Sequence, residues 1–386
     1  MSTEDQKRTK FSVGYYLTNQ EDSPTSFAEL ARRYAPRLKE VYFPWPGLAT
    51  GRAASALPRE KERTAADLKY CRDHGMKLNL LANGMCYGET ACTEEQHRQI
   101  VDIVRELDRL GLYPESVTTT SPYIARLFKL EFPDIDVRAS VNMELRNMLA
   151  YEYLSPLFDS FYISRDVQRD LPTFHRFADW CRDHGKNLCL LANSCCLRNC
   201  PWHAPHNSIL AHMNATMLGQ IDSGNCKLLC ERVFVKRQYV EFLRPGWIRP
   251  EDIHLYEPEL EVVKLATRTA QYPIDMVEAY LNHSYDGNLL RIMNPYHGFE
   301  FRPYRIDNKS FPADWATSGI ASTCAENCTH CGKCEQILKQ VMKYDIDHSV
   351  RATSYSLGPQ FQPRPQQKNQ VGPAASGEQK AKGAQS

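Results

Sequence analysis

The sequence predicts a (β/α)8 TIM-like barrel with a cysteine-rich insertion between strands seven and eight and a cysteine-rich C-terminal extension. Three observations point there. Eight short apolar runs rich in Val, Ile, Leu and Tyr recur between stretches that can hold helices, the alternation that builds a parallel sheet. Residues 71–86, CRDHGMKLNLLANGMC, and 181–196, CRDHGKNLCLLANSCC, are identical at 11 of 16 positions and lie 110 residues apart. They carry the third and seventh runs, four units apart, which is the spacing of a duplicated half-barrel. No GxGxxG turn follows any run, which disfavours a doubly wound nucleotide-binding sheet.

The runs are FSVGYYL (11–17), EVYFPWP (40–46), KLNLLAN (77–83), SVTTTSP (116–122), DVRASVN (136–142), SFYISRD (160–166), NLCLLAN (187–193) and VVKLATR (262–268). Helices are expected in EEQHRQIVDIVRELDRLG and LPTFHRFADWCRDHG, and the tight space between residues 122 and 136 permits only a short one. TAQYPIDMVEAYLNH reads as the closing helix, with Pro273 in its first turn. The barrel spans 11–285, interrupted by the insertion at 194–261, too long for an ordinary βα link. An extension covers 286–350, with a helix near EQILKQVMKY. The tail at 351–386, rich in Gln, Pro and Gly, reads as disordered.

Charge and hydropathy exclude some classes. The chain of 386 residues balances 47 Lys+Arg against 46 Asp+Glu, so no global basic field favours a polyanion. No apolar run is long enough for a membrane-spanning helix. The N-terminal MSTEDQKRTK lacks the apolar core of a secretory signal, and a cytoplasmic location is expected. A local nucleic-acid patch is conceivable at KRQYVEFLR (236–244), although such a stretch is more often a solvated amphipathic element.

The 14 cysteines are unevenly spread. Cys71, Cys181 and Cys189 fall inside expected helices or strands and read as buried core. Cys195, Cys196, Cys200, Cys226 and Cys230 crowd the insertion, just beyond the carboxyl end of strand seven, where barrels carry their chemistry. Without the C-x2-C knuckles of zinc sites, this set suits a 4Fe–4S cluster held by Cys196 (or Cys195), Cys200, Cys226 and Cys230. His203, His206 and His212 keep a Cys/His zinc site as the alternative. CAENCTHCGKC places Cys324, Cys328, Cys331 and Cys334 within 11 residues. A second 4Fe–4S cluster or a zinc site fits there. Its C-x3-C-x2-C spacing is that of radical S-adenosylmethionine enzymes, but it lies far too late in the chain for that assignment.

Several of these segments resemble one family. SVTTTSPYIARLFKLEFPDIDVRASVNMELRN followed by SFYISRD is similar to the barrel core of the peptidase U32 family. Ala139, Ser140 and Asn147 match one strand motif and Ser164 and Arg165 the next, with Asn142 in place of the usual glutamine. LLANSCCLRNC and GNCKLLCER resemble the family's cysteine-bearing segments, and KLATR (264–268) its KIEGR strand. The similarity runs over roughly residues 12–285. It implies a (β/α)8 barrel holding a 4Fe–4S cluster through four cysteines. It also implies either oxygen-independent hydroxylation of ubiquinone precursors or RNA bases, with prephenate proposed as oxygen donor, or a collagenase-like peptidase. The chain departs from the family pattern in the closer spacing of its first two cluster cysteines, the missing glutamine and the added C-terminal cysteines.

The expected function is therefore iron–sulfur redox or hydroxylation chemistry on a small aromatic, RNA-base or peptide substrate, with an electron donor or partner subunit. The alternatives are a U32-type peptidase and a non-catalytic iron–sulfur subunit. Neither GxSxG nor HExxH occurs. Asn142, Arg165, Lys264 and Arg268 are the expected catalytic groups at strand ends, with Asn83 and Asn193 also available. Arg165 and Arg268 are expected to clamp a carboxylate.

Overall fold

The computed structural model describes residues 9–18, 23–51, 58–212, 224–319 and 331–345; for residues 58 and 224–229 it describes the backbone alone. Eight parallel strands close into a barrel in sequential order. They are β1 (Phe11–Gly14), β2 (Glu40–Pro44), β3 (Lys77–Ala82), β4 (Ser116–Thr119), β5 (Asp136–Ala139), β6 (Ser160–Tyr162), β7 (Asn187–Leu191) and β8 (Val262–Leu265). Closure is made by β8 on β1, with Lys264 opposite Ser12. Every strand lies inside one of the eight expected runs but is shorter. The last residues of each run leave the ladder to form the mouth, which is where Ser164, Arg165, Asn193 and Arg268 sit.

The helices between the strands are α1 (Phe27–Tyr34), α2 (Pro58–Asp73), α3 (Glu94–Arg109), α4 (Pro122–Glu131), α5 (Met148–Leu154) and α6 (Leu171–Asp183). Local chemistry starts them. The side chains of Ser26, Thr93, Ser121 and Asn147 each cap a helix N-terminus by accepting from a backbone N–H. The period-two alternation of the strands then sorts the core. Phe11, Val13, Val41, Phe43, Leu78, Leu80, Phe161 and Val263 pack outward with the helices in one large cluster. Cys71 and Cys181 join that cluster, while Cys189 belongs to a smaller interior one with Tyr162, Leu191 and Val262. All three cysteines are buried, as expected.

The barrel interior is polar at its lower level. Glu40 accepts from Ser12 Oγ at 2.8 Å, Asn79 Nδ2 at 3.2 Å and Arg138 Nη1 at 2.8 Å. Asn79 Oδ1 accepts from Thr118 Oγ1 at 3.0 Å, Arg138 Nε donates to Asp136 at 2.6 Å, and Ser160 Oγ donates to Asp136 at 2.7 Å. The network links β1 through β6 and satisfies the buried charges, as a water-free interior requires. It plugs the barrel beneath the mouth.

The insertion contributes α7 (His203–Ala211), α8 (Gly224–Val235) and a run of short 3-10 turns. After β8, α9 (Pro273–Leu281) closes the barrel as expected. The extension then turns back over the end of β7. Asn294 N donates to Asn193 O and Cys195 N to Asn294 O, both at 2.9 Å. Trp315 stacks on Trp247 of the insertion with ring centres 5.7 Å apart, and the Arg169 guanidinium lies 4.5 Å from the Trp315 ring centre. α10 (Gly298–Phe301) and β9 (Tyr304–Ile306) lead on to α11 (Lys333–Val341). EQILKQVMKY departs from expectation: its helix stops at Val341, and Met342–Tyr344 forms β10, antiparallel to β9. Pairing with a distant strand overrides the local helical pattern there. KRQYVEFLR buries Tyr239, Phe242 and Leu243, so its aromatics support the core and not a nucleic-acid surface. The tail at 351–386 lies outside the described residues. Among the described residues, no helix is long and apolar enough to cross a membrane.

Candidate functional site

The end of β7 gathers the insertion's thiols. Cys195 is fully buried and its Sγ donates to Pro295 O at 2.8 Å. Cys196 is turned the other way, where Arg165 Nη1 donates to its Sγ at 3.6 Å. Cys200 and, on α8, Cys230 both lie within electrostatic reach of Cys196. Burial first, and the charge of Cys196 second, push the Cys230 thiol up to about 11. Burial likewise raises Cys195 and Cys200. Cys226 precedes Cys230 by one helical turn on the same helix, but its side chain is outside the described residues. Among the described residues, no three Cys, His, Asp or Glu side chains form a ready-made ion site.

Beside these thiols stands a cluster of ionic groups from three segments. Glu144 follows β5 in the left-handed conformation (φ 50°). Its carboxylate accepts from Ser164 Oγ at 2.6 Å and from Arg165 Nε at 3.1 Å. Burial alone would raise the Glu144 carboxyl, but Arg165 and Ser164 overrule it and hold it low. His203, at the start of α7, contacts Arg165 Nη2, accepts at Nε2 from Asn207 Nδ2 at 2.8 Å, and lies 3.4 Å from Glu144. Burial and the Arg165 charge pull its pKa down to about 4. Glu144, Arg165, Cys196, Cys200 and His203 together line a cavity of about 10 Å³, room for roughly one water-sized sphere. The expectation of Arg165 as a carboxylate clamp meets a carboxylate already in place, that of Glu144.

The centre of the mouth is floored by Tyr42, Tyr162 and Lys264. The Lys264 ammonium lies 3.9 Å from the Tyr42 ring centre and 5.5 Å from that of Tyr162. Tyr42 is fixed by its hydroxyl, which donates to Leu265 O at 2.8 Å. Gly14 is required beneath: a Cβ there would fall 2.4 Å from the Tyr42 ring and 2.5 Å from Arg268 Cγ. Burial, then the Arg268 charge, pull the Lys264 pKa down to about 7. Asn142 sits on a 3-10 turn (Val141–Met143) after β5, facing Gly51 across the mouth. Asn83 Oδ1 accepts from Gly51 N at 3.2 Å. Asn193 departs from expectation. It accepts from Ala266 N at 2.7 Å and donates to Ile292 O at 3.2 Å, so it braces β7 against β8 and the extension.

Of the C-terminal cysteines, Cys331 is exposed and Cys334 is buried at the start of α11. Cys324 and Cys328 lie outside the described residues. Sequence reasoning missed Glu144, Tyr42 and Tyr162. The two tyrosines have a signal, since strand alternation puts them on the same inward side as Lys264. Glu144 has none: its partners lie 20 and 21 residues away, and its backbone conformation is uncommon for glutamate.

No family model matches the chain. It is 25% identical over 309 residues to an uncharacterized protease, MJ1657, of Methanocaldococcus jannaschii, covering 79% of this chain and 89% of that one. Among solved structures it is similar to the U32 peptidase Mk0906, at TM-score 0.43 and 12% identity, over 57% of this chain and 82% of the other. The endo-β-1,4-mannanase of Thermotoga petrophila matches at TM-score 0.36 and 10% identity, over 49% and 61%. The chain is thus related through most of its length to an archaeal protein named as a protease.

Proposed function

We propose that this chain is a U32-type barrel enzyme in which Cys196, Cys200, Cys226 and Cys230 hold one 4Fe–4S cluster beside the mouth. The observation that supports this reading is that Cys200, which shares the link after β7 with Cys196, and Cys230 on α8 both lie within electrostatic reach of Cys196 at the carboxyl end of the barrel. Cys195 is the spare of its pair, because its thiol donates to Pro295 O and a ligand sulfur has lost that proton. The donor set fits the group: thiolates are the ligands of such clusters, and Arg165 offsets their negative charge. When bound, the cluster supplies one-electron chemistry or an iron site for substrate. The remaining work belongs to the chain. Glu144 holds Arg165 toward Cys196, and His203, neutral near pH 7, closes the cluster's side of the cavity. Arg268 and Asn142 line the rim, above the floor of Tyr42, Tyr162 and Lys264. The substrate is a small aromatic, an RNA base or a peptide, and the reaction a redox or oxygen-independent modification. Cys324, Cys328, Cys331 and Cys334 hold a second 4Fe–4S cluster or a zinc ion, which would take electrons from a donor or brace the extension.

The second reading is peptide hydrolysis, favoured by the naming of the archaeal relative as a protease. The two separate by experiment. Replacing Cys230 by alanine should remove about four irons per chain, while Cys195→Ala should retain them. Unchanged iron in Cys230→Ala removes it from the ligand set. Cleavage of peptides by protein freed of iron, at the rate of the untreated protein, would establish the hydrolase instead.

A further inference from the structure

We propose that Lys264 is a carbonyl-capturing amine, which forms an imine with a small aldehyde or ketone entering the barrel mouth. This is independent of the cluster and requires none of its ligands. The amine sits on the inward face of β8, at the carboxyl end of the barrel, with 8% of the residue exposed. Among the described residues it has no carboxylate partner and no hydrogen-bond acceptor; its contacts are the faces of Tyr42 and Tyr162. The ring faces attract an ammonium, but with no carboxylate or hydrogen-bond acceptor beside it they offset only part of the cost of burying its charge, so the neutral amine is favoured relative to an exposed lysine.

The two neighbouring cations act in the same direction. From β8, Arg268 disfavours the ammonium; from β5, Arg138 does likewise. Glu40 on β2 favours it, but that carboxylate is committed to Arg138. Cys189 on β7 is a weak opposing influence, and its thiol stays protonated because burial drives it up. With a pKa of about 7, roughly half of Lys264 is free amine at neutral pH, against roughly one part in a few thousand for an ordinary lysine. Desolvation and a neighbouring cation are the means by which lysines become nucleophiles for carbonyl compounds.

A proton donor is also present. The Tyr162 hydroxyl is buried without a hydrogen-bond partner among the described residues, and burial keeps it protonated. The nitrogen lone pair attacks the carbonyl carbon, and one proton passes from nitrogen to the carbonyl oxygen to give the carbinolamine. Its hydroxyl then takes a proton from Tyr162 and leaves as water, the second nitrogen proton returns to the phenolate, and the imine remains. No oxidant or reductant takes part.

The test uses the full chain, purified anaerobically and incubated at pH 7 with glyoxylate and cyanoborohydride, which reduces an imine to a stable secondary amine. Peptide mass mapping follows the label at each lysine. Lys264 should label at least tenfold faster than exposed Lys69, with a rate that rises to half its maximum near pH 7. Lys264→Met should lose that label and keep the others. Should that variant fail to fold, Tyr162→Phe provides the second arm and should slow labelling at Lys264 alone. Labelling of Lys264 no faster than Lys69 in the wild-type chain would overturn the proposal.

Discussion

Glu40 and Arg138 meet at the centre of the barrel, with side-chain exposures of 0% and 3%. Burial works against both charges, yet each holds the other ionised: the Glu40 carboxyl is depressed and the Arg138 guanidinium raised. Removing Arg138 leaves Glu40 without its ion-pair partner, and removing Glu40 leaves Arg138 with Asp136 alone, a loss of up to about 3–5 kcal/mol. Glu40→Gln should therefore destabilise by about that much in urea unfolding. The double variant Glu40→Gln/Arg138→Met should lose less than the sum of the singles; strict additivity would contradict the pairing. Because the Glu40 carboxyl is lowered, its stabilising contribution is present above the ordinary carboxylate pKa and fades as pH falls below it.

His297 adds a second acid sensitivity. It is 3% exposed, its Nε2 has no partner among the described residues, and burial pulls its pKa down to about 4. Glu300, at 3.9 Å from Nδ1, is too far for a hydrogen bond and does not rescue the charged form. A histidine depressed in this way is neutral in the folded chain and must be charged in the unfolded one as pH falls below about 6.5. Stability should decline between about pH 6.5 and 4, by at most a few kcal/mol from this residue. The slope should flatten in His297→Leu when urea midpoints are compared across that range.

Among the elements, the insertion does more than carry thiols. Gly246 runs so close to the end of β6 that a Cβ would lie 1.8 Å from Arg165 O. Gln168 Nε2 ties the same segment to β7 by donating to Leu191 O at 2.8 Å and Gly246 O at 2.6 Å. Gly246→Ala must move the backbone that presents Ser164 and Arg165. Overpacking of this kind costs about 1–3 kcal/mol, and the variant should show both a lowered Tm and weakened iron retention. Wild-type Tm and iron would contradict the close approach.

The elements were legible in the sequence to the extent that they are local. All eight strands fall in apolar runs bounded by polar mouths, and α3, α6 and α9 follow helical periodicity. β10 was not legible, because its partner Tyr304–Ile306 lies far upstream and MKY continues a helical pattern. At the site, the thiols were legible from spacing and from the repeat that sets Cys196 just past β7. The pairing of Arg165 with Glu144 was not, since neither periodicity nor spacing says that a residue beyond β5 turns back on one beyond β6. Asn193 illustrates the converse: its position at a strand end suggested substrate, and its hydrogen bonds show a brace.

At the scale of the whole molecule, the duplicated unit places Cys86 and Cys196 beyond β3 and β7, yet only the second half acquired the insertion and its companion thiols. The extension covers that same half by pairing Asn294 with Ser194. We propose that this half of the mouth holds the iron–sulfur cluster. The most direct measurement is iron, acid-labile sulfide and zinc per chain after anaerobic purification, with electron paramagnetic resonance of the reduced protein. A mouth cluster should give about four iron and four sulfide, and about eight of each if Cys324, Cys328, Cys331 and Cys334 hold a second. A chain carrying zinc without iron or sulfide would contradict it.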